Sequence, residues 1–158
     1  MIQFHYSLGM SLYSMTKGEV ADDILFSIAD QVKQGIGCLA NENPEFQIDI
    51  AKIFELSSIK AEACSDFVSS CSYLNYALSI LPTDHWNSHY DLSRRFLIRL
   101  AKSYYSCGDI EKAYCTSKQI TEQCHSLEDK LPAHALVATS KCYIGKFIDR
   151  DIYRIDCC

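Results

Sequence analysis

The chain has 158 residues, and its twenty acidic and fifteen basic side chains leave a formal net charge of -5 at pH 7. No basic run is longer than Arg94-Arg95, which argues against nucleic acid as a partner because phosphate binding needs clustered cations. No apolar stretch approaches the length of a membrane span. The start, MIQFHYSLGMSLYSM, lacks the basic and apolar regions of a signal peptide, so we expect a cytoplasmic protein.

The nine cysteines do not follow a known metal or disulfide spacing, because their number is odd and no Cys-x-x-Cys pair occurs. Most of them stand where a small apolar residue would pack in a helix. We therefore expect reduced packing thiols, with no bound metal or cofactor. Palmitoylation of Cys157 and Cys158 is left open as an alternative.

The first 44 residues are predicted to form two helices, because apolar side chains recur at helical spacing. The first helix ends near Lys17, and the second runs from Ala21 to Leu39. The sequence NENP, from Asn41 to Pro44, interrupts the pattern. We expect residues 1–44 to lead into helical repeats that occupy residues 45–158 of one continuous domain.

The next two helices are predicted from about Glu45 to Ala63 and from about Asp66 to Leu81. A tight corner at Cys64 to Asp66 separates them. Pro82 ends the fourth helix, since proline cannot donate the next helical hydrogen bond and disfavours helix in the residue before it.

A fifth helix is predicted to end at Gly108, a residue that readily takes a left-handed backbone conformation. The sixth runs from about Asp109 to His125, with Asp109 as its N-cap. The seventh runs from about Lys130 to Ile144. With Asp129 as N-cap, Pro132 would fall in the first turn, where the amides have no helical partner.

Three segments share the order helix, tight corner, helix, with corners near Ser65, Gly108 and Gly145 that lie 43 and 37 residues apart. This spacing is typical of tetratricopeptide-like (TPR-like) repeats, whose stacked helix pairs bury one continuous core. We therefore predict an all-α fold of about seven helices in antiparallel pairs, forming a short right-handed α-solenoid. The last repeat is incomplete, because the tail after Lys146 is short and polar. A bundle without repeats is the alternative.

A family resemblance is carried by three segments, YLNYALSILPTDHWNSHYDLSRRF, AKSYYSCGDIEKA and SLEDKLPAHAL. They resemble the TPR-like helical region of large signalling AAA-type ATPases. Those proteins often carry a serine/threonine kinase-like domain before the ATPase, and GAF and histidine-kinase domains after the helical region. The residues that carry the motif are Leu81, Pro82, Asp84, Trp86, Tyr90, Leu92, Gly108, Ala113, Asp129 and Lys130.

The catalytic motifs of that family are absent from this sequence, which has neither a phosphate-binding G-x-x-x-x-G-K-[ST] loop nor a kinase signature. The resemblance therefore implies a fragment without enzymatic activity. It implies a scaffold for protein or peptide partners in signal transduction, including other domains of the same larger protein. The alternative is a fragment of an ATPase or protein kinase whose catalytic domains lie outside this chain.

Two pairs of side chains near Pro82 are candidate ligand sites, because each pair is spaced four residues apart on one helix face. His85 and His89 have the spacing of metal ligands, but no glutamate base stands between them, so we predict polar surface residues. Trp86 and Tyr90 are predicted to pack between repeats, with a ligand cage as the alternative.

Two further interpretations are weaker. Cys107 or Cys124 near His125 would make a thiol nucleophile only if the base reached the thiolate and a third group oriented it. The segment from Ser93 to Arg95 has the composition of a phosphorylation or anion-binding site. Two arginines on a helix are more typical of a solvated face.

Overall fold

The computed structural model describes residues 1–16 and 22–148, and over these residues the fold is all-helical, without a β-strand. The all-α prediction is confirmed. The elements in chain order are α1 (Ile2–Met15), α2 (Asp22–Gln34), a 3-10 helix (Ile36–Asn41), α3 (Pro44–Ala63), α4 (Phe67–Ser79), α5 (His85–Ser88), α6 (Tyr90–Ser106), α7 (Ile110–Gln123) and α8 (Leu127–Ile148). The remainder of the predicted polar tail, 149–158, lies outside the described residues.

Three of the helices begin where the sequence supplies a capping side chain. Asn43, Asp66 and Asp109 each accept a hydrogen bond from the backbone amide three residues later, at 2.7, 3.0 and 3.2 Å. These bonds satisfy amides that have no partner inside the helix. Pro44 occupies the first position of α3, where its missing amide costs nothing. The predicted N-cap at Asp109 is confirmed.

The corners after α3 and α6 have the same backbone geometry. Ser65 and Gly108 both take positive φ, 60° and 85°. In each corner the amide of the following aspartate donates to the carbonyl five residues earlier, at 2.8 Å for Asp66 and 2.9 Å for Asp109. This is the Schellman arrangement that ends a helix, followed at once by the N-cap of the next one. Two of the three predicted corners are therefore present, 43 residues apart.

The hairpins α3–α4 and α6–α7 also bury matching positions at the same 43-residue offset. Eight pairs of residues are buried in both hairpins: Ile50 and Ser93, Ile53 and Phe96, Phe54 and Leu97, Ser57 and Leu100, Ser58 and Ala101, Ser70 and Ala113, Leu74 and Ser117, and Ala77 and Ile120. Helix α4 packs on α6, so the two hairpins stack and share one core. The side chains differ, but the burial pattern repeats.

The third predicted corner is wrong, since α8 continues past Gly145 to Ile148. One glycine costs a helix only about 1 kcal/mol, so Gly145 alone does not have to end it. Asp129 is not the N-cap, because the hydroxyl of Ser126 accepts the hydrogen bond of the Asp129 amide at 3.1 Å. The helix therefore begins three residues before the predicted start, and Pro132 lies inside it.

Helix α2 ends at Gln34, before the predicted boundary at Leu39, and two glycines let α1 pack closely against it. A Cβ on Gly35 would lie 2.6 Å from Tyr6 Cβ and 2.7 Å from Tyr6 Cα. A Cβ on Gly9 would lie 2.9 Å from Val32 Cγ2. At Gly35 the chain leaves the α-helix and continues as the 3-10 helix. Apolar residues keep their helical spacing on both sides of this break, so the sequence predicts one longer helix.

Gly35→Ala should lower the free energy of unfolding by about 1–3 kcal/mol, because the added methyl group meets the backbone of α1 rather than a flexible side chain. Gly37→Ala is the matched control, since a Cβ there meets nothing within 4 Å. Urea unfolding followed by circular dichroism measures both. Equal stability of the two variants would show that α1 does not pack closely on Gly35.

Candidate functional site

Helix α6 presents its basic face between α3 and α8. It packs on α8, and its arginines reach carboxylates of α3. A shallow groove of about 520 Å³ lies along this face. The lining residues, which we call the α6 groove, are Glu62, Asp91, Arg94, Arg95, Ile98, Arg99 and Lys102. Four of the seven are cations, and all but Glu62 belong to α6.

Glu55 of α3 is the most buried charged side chain at this face, at 7% exposure. Arg95 binds it with two hydrogen bonds, Nε to Oε1 at 2.5 Å and Nη2 to Oε2 at 2.8 Å. The hydrogen bonds to Glu55 raise the pKa of Arg95 above its usual value. A carboxylate this buried needs such a partner, because an unpaired charge in the interior costs several kcal/mol.

Glu62 stands two helical turns further along α3 and connects three helices. Its Oε2 accepts from Arg99 Nη1 at 2.6 Å. Its Oε1 accepts from the hydroxyls of Ser70 in α4 and Ser103 in α6, at 3.0 and 2.9 Å. The two hydroxyls are themselves 2.9 Å apart and buried. We refer to Glu55, Glu62, Arg95 and Arg99 as the charged seam, since they join α3 to α6.

Asp129 links α6 to α8, as Glu62 links α3 to α6. Its carboxylate accepts from Arg94 Nη1 at 2.7 Å and from the Tyr90 hydroxyl at 2.9 Å. Hydrogen bonds from Ser126 and Tyr90, with the charge of Arg94, hold the pKa of Asp129 below its usual value. Tyr90 and Asp129, two of the residues on which the sequence resemblance rests, are 39 positions apart and in direct contact.

Tyr90 also fixes the chain between α7 and α8. Its hydroxyl accepts from the backbone amide of His125 at 3.1 Å, and the two rings stack with centroids 4.7 Å apart. Burial of the hydroxyl raises the pKa of Tyr90 to about 12, so it stays protonated and can donate to Asp129. His125 is therefore held by Tyr90.

The other motif residues occupy structural positions. Leu81 and Ala113 are buried, Pro82, Trp86, Leu92 and Lys130 are half-buried, and Asp84 and Gly108 are exposed. Trp86 packs on the core and meets Tyr90 at a ring distance of 5.9 Å. It is less buried than predicted, because α5 has only four residues and lies at the edge of α6. Asp84 makes no side-chain cap.

His85 stands at the start of α5, as a polar residue at a helix start should, but it is more buried than a surface residue. The ring is half-buried, and its Nδ1 lies 2.7 Å from the hydroxyl of Ser93, which is fully buried. That hydroxyl donates to the carbonyl of His89 at 2.9 Å or of His85 at 3.1 Å. The Ser93 hydroxyl therefore has one ring nitrogen and two carbonyl oxygens within hydrogen-bond distance, and its one proton serves a single acceptor at a time. The pair links α5 to the first turn of α6.

The cysteine–histidine interpretations gain no support from the geometry. Cys124 is buried beside Tyr90, while the thiol of Cys107 donates to the carbonyl of Tyr104 at 3.3 Å. The ring of His125 stacks on Tyr90. Within residues 1–16 and 22–148, no group of three or more potential metal-binding side chains lies close enough together to hold an ion.

The charged seam was missed by the sequence analysis, although two signals for it exist. Glu55 and Glu62 are seven residues apart, so they share the helix face that carries Ser58, which is buried. Arg95 and Arg99 are four residues apart on α6. Charged residues that follow the spacing of a buried face indicate ion pairs between helices.

No protein-family model matches the chain, and no curated protein or solved structure matches it either. Among the described residues, no helix is both long and apolar enough to cross a membrane.

Arg95→Met should lower the free energy of unfolding by about 3 kcal/mol, because it leaves the buried Glu55 carboxylate without its counter-charge. Glu55→Gln should cost about 1 kcal/mol, since the Arg95 side chain is 51% exposed and water solvates its charge. Lys52→Met breaks an exposed ion pair and serves as control, with a loss below about 0.5 kcal/mol. Urea titrations measure all three, and a larger loss for Glu55→Gln than for Arg95→Met contradicts the assignment.

Stability should fall as the pH drops below about 6.5, with a contribution from His85. Burial lowers the pKa of His85 below its ordinary value of 6.5, so between the two values the unfolded chain binds the proton and the folded chain does not. In His85→Gln this part of the decline disappears. His134→Gln, at an exposed position, is the control and should keep the wild-type profile. Thermal melts from pH 8 to pH 5 compare the three proteins, and parallel profiles for wild type and His85→Gln contradict the prediction.

Proposed function

We propose that this chain is a non-catalytic helical-repeat scaffold of the cytoplasm, which holds protein partners or neighbouring domains together in signal transduction. The observation that carries the proposal is the α6 groove, a basic face held between α3 and α8 by ion pairs. The matching hairpins α3–α4 and α6–α7 support a short TPR-like α-solenoid, with α3, α6 and α8 side by side along one face. The signalling role rests on the sequence resemblance.

The α6 groove is suited to a peptide because its walls are pre-ordered. Arg94, Arg95 and Arg99 are each paired with a carboxylate of another helix, so their side chains lose little freedom when a ligand binds. Lys102 is exposed at the edge, and the Arg95 side chain is 51% exposed. Because the three arginines already have carboxylate partners, Lys102 is the cation that favours a carboxylate on a partner segment.

A scaffold role also agrees with the one Ser–His contact in the described part of the chain. Catalysis would need a nucleophile that a substrate can reach and a base that accepts its proton. Ser93 is fully buried, so a substrate cannot reach its hydroxyl, which also lies against two backbone carbonyls. The contact therefore supports a structural role for α5 and α6.

The test compares partner capture by the intact chain and by two charge-reversal variants. Lys102→Glu changes the edge of the α6 groove, and Lys118→Glu changes an exposed position on α7, outside the groove. We expect a protein captured from cell lysate to lose about tenfold or more in affinity with Lys102→Glu and to bind Lys118→Glu normally. Capture of background proteins alone, or equal loss with both variants, overturns the proposal.

A further inference from the structure

Helix α8 carries apolar residues on two of its sides, and the described part of the chain covers only one of them. On the covered side, Ala133 and Ser140 are fully buried and Leu136 packs against the core. On the opposite side, Leu127 is 72% exposed and Leu131 is 58% exposed. A helix that is apolar on both sides is typical of a position between two partners.

The uncovered side forms a continuous stripe along α8. Its members recur at steps of three and four residues, which places them on one helix face, and all of them are exposed. They are Leu127, Leu131, Ala135, Ala138 and Cys142, which we call the α8 stripe. The outer faces of a helical stack are normally polar, so an apolar stripe there indicates an interaction surface.

The side chains of the α8 stripe are ordered by size, with the two leucines in its first half and small residues in its second. Leu127 and Cys142 lie at equal distances from the middle of the stripe, between residues 134 and 135. Leu131 and Ala138 also lie at equal distances from it. Two copies related by a two-fold axis at this point would therefore place each leucine against a small side chain.

We propose that the chain forms a symmetric homodimer through the α8 stripe, with the two α8 helices antiparallel. Leu131 packs on Ala138 of the partner subunit, and Leu127 packs on Cys142 of the partner subunit. A parallel pair would place leucine on leucine and leave gaps between the small residues, so the size order selects the antiparallel pair. No residue of the α6 groove belongs to α8, so the dimer does not depend on the proposed scaffold function.

Sedimentation velocity of the intact, reduced chain measures the association. One helix pair is a small interface, so we expect a dissociation constant on the order of 10–100 µM, with monomer below this range and dimer above it. The contacts are apolar, so raising the salt concentration should not weaken the dimer. A monomer at all concentrations up to about 500 µM, or a dimer that salt dissociates, overturns the proposal.

Leu131→Glu should weaken the dimer about tenfold or more, because dimerisation would bury a carboxylate among apolar side chains. Val68→Glu is the control, since Val68 is 71% exposed on α4, outside the α8 stripe, and its replacement should not change the dissociation constant. Both positions are exposed, so both variants should keep the wild-type circular dichroism spectrum. Equal weakening by the two variants, or an unchanged dimer with Leu131→Glu, contradicts the assignment.

Two double variants of identical composition test the antiparallel pairing. Leu131→Ala with Ala138→Leu exchanges the members of one pair, so leucine again meets alanine and the dissociation constant should stay within about threefold of wild type. Leu131→Ala with Ala135→Leu instead leaves alanine against alanine and should weaken the dimer about tenfold. Equal dimerisation of the two double variants would indicate unspecific association of apolar surfaces and overturns the proposal.

Discussion

The arrangement of the helices depends on how two carboxylates of α3, Glu55 buried and Glu62 partly buried, are satisfied. Glu55 and Glu62 point into the junction with α6, where an unpaired charge would be strongly destabilising. Arg95, Arg99 and Ser103 provide the required partners from one helix. Hydrogen bonds are directional and apolar contacts are not, so the charged seam fixes the register of the second hairpin on the first.

The seam also explains why two hairpins with the same burial pattern are not interchangeable. Both end their first helix with a left-handed residue, but one corner uses Ser65 and the other Gly108. Position 98, the counterpart of Glu55, holds isoleucine, so α6 cannot repeat the same ion pair towards α8. That junction uses Asp129 of α8, reached by Arg94 and Tyr90. The pattern of buried positions repeats along the chain, while the polar contacts determine which helices pack against each other.

Local features of the sequence predicted the helices because their causes are local. Asn43, Asp109 and Gly108 mark helix ends through their own side chains or backbone freedom. The close approach of Tyr6 to Gly35, at the end of α2, joins positions about thirty residues apart, and no local pattern records it. The partners of Glu55 and His85 were also missed because they are not neighbours in the sequence. Arg95 lies 40 positions from Glu55. Ser93 lies eight positions from His85 and meets it only where α5 joins α6.

Helix α6 therefore carries two separate kinds of contact. Its arginines reach carboxylates of α3 and α8, and its buried apolar residues share the core with α4 and α7. Ion pairs in a partly exposed groove weaken with salt, whereas buried apolar contacts carry no charge that salt could screen. The apolar contacts therefore hold α6 in place under conditions that weaken the charged seam, and the seam fixes its register when salt is low.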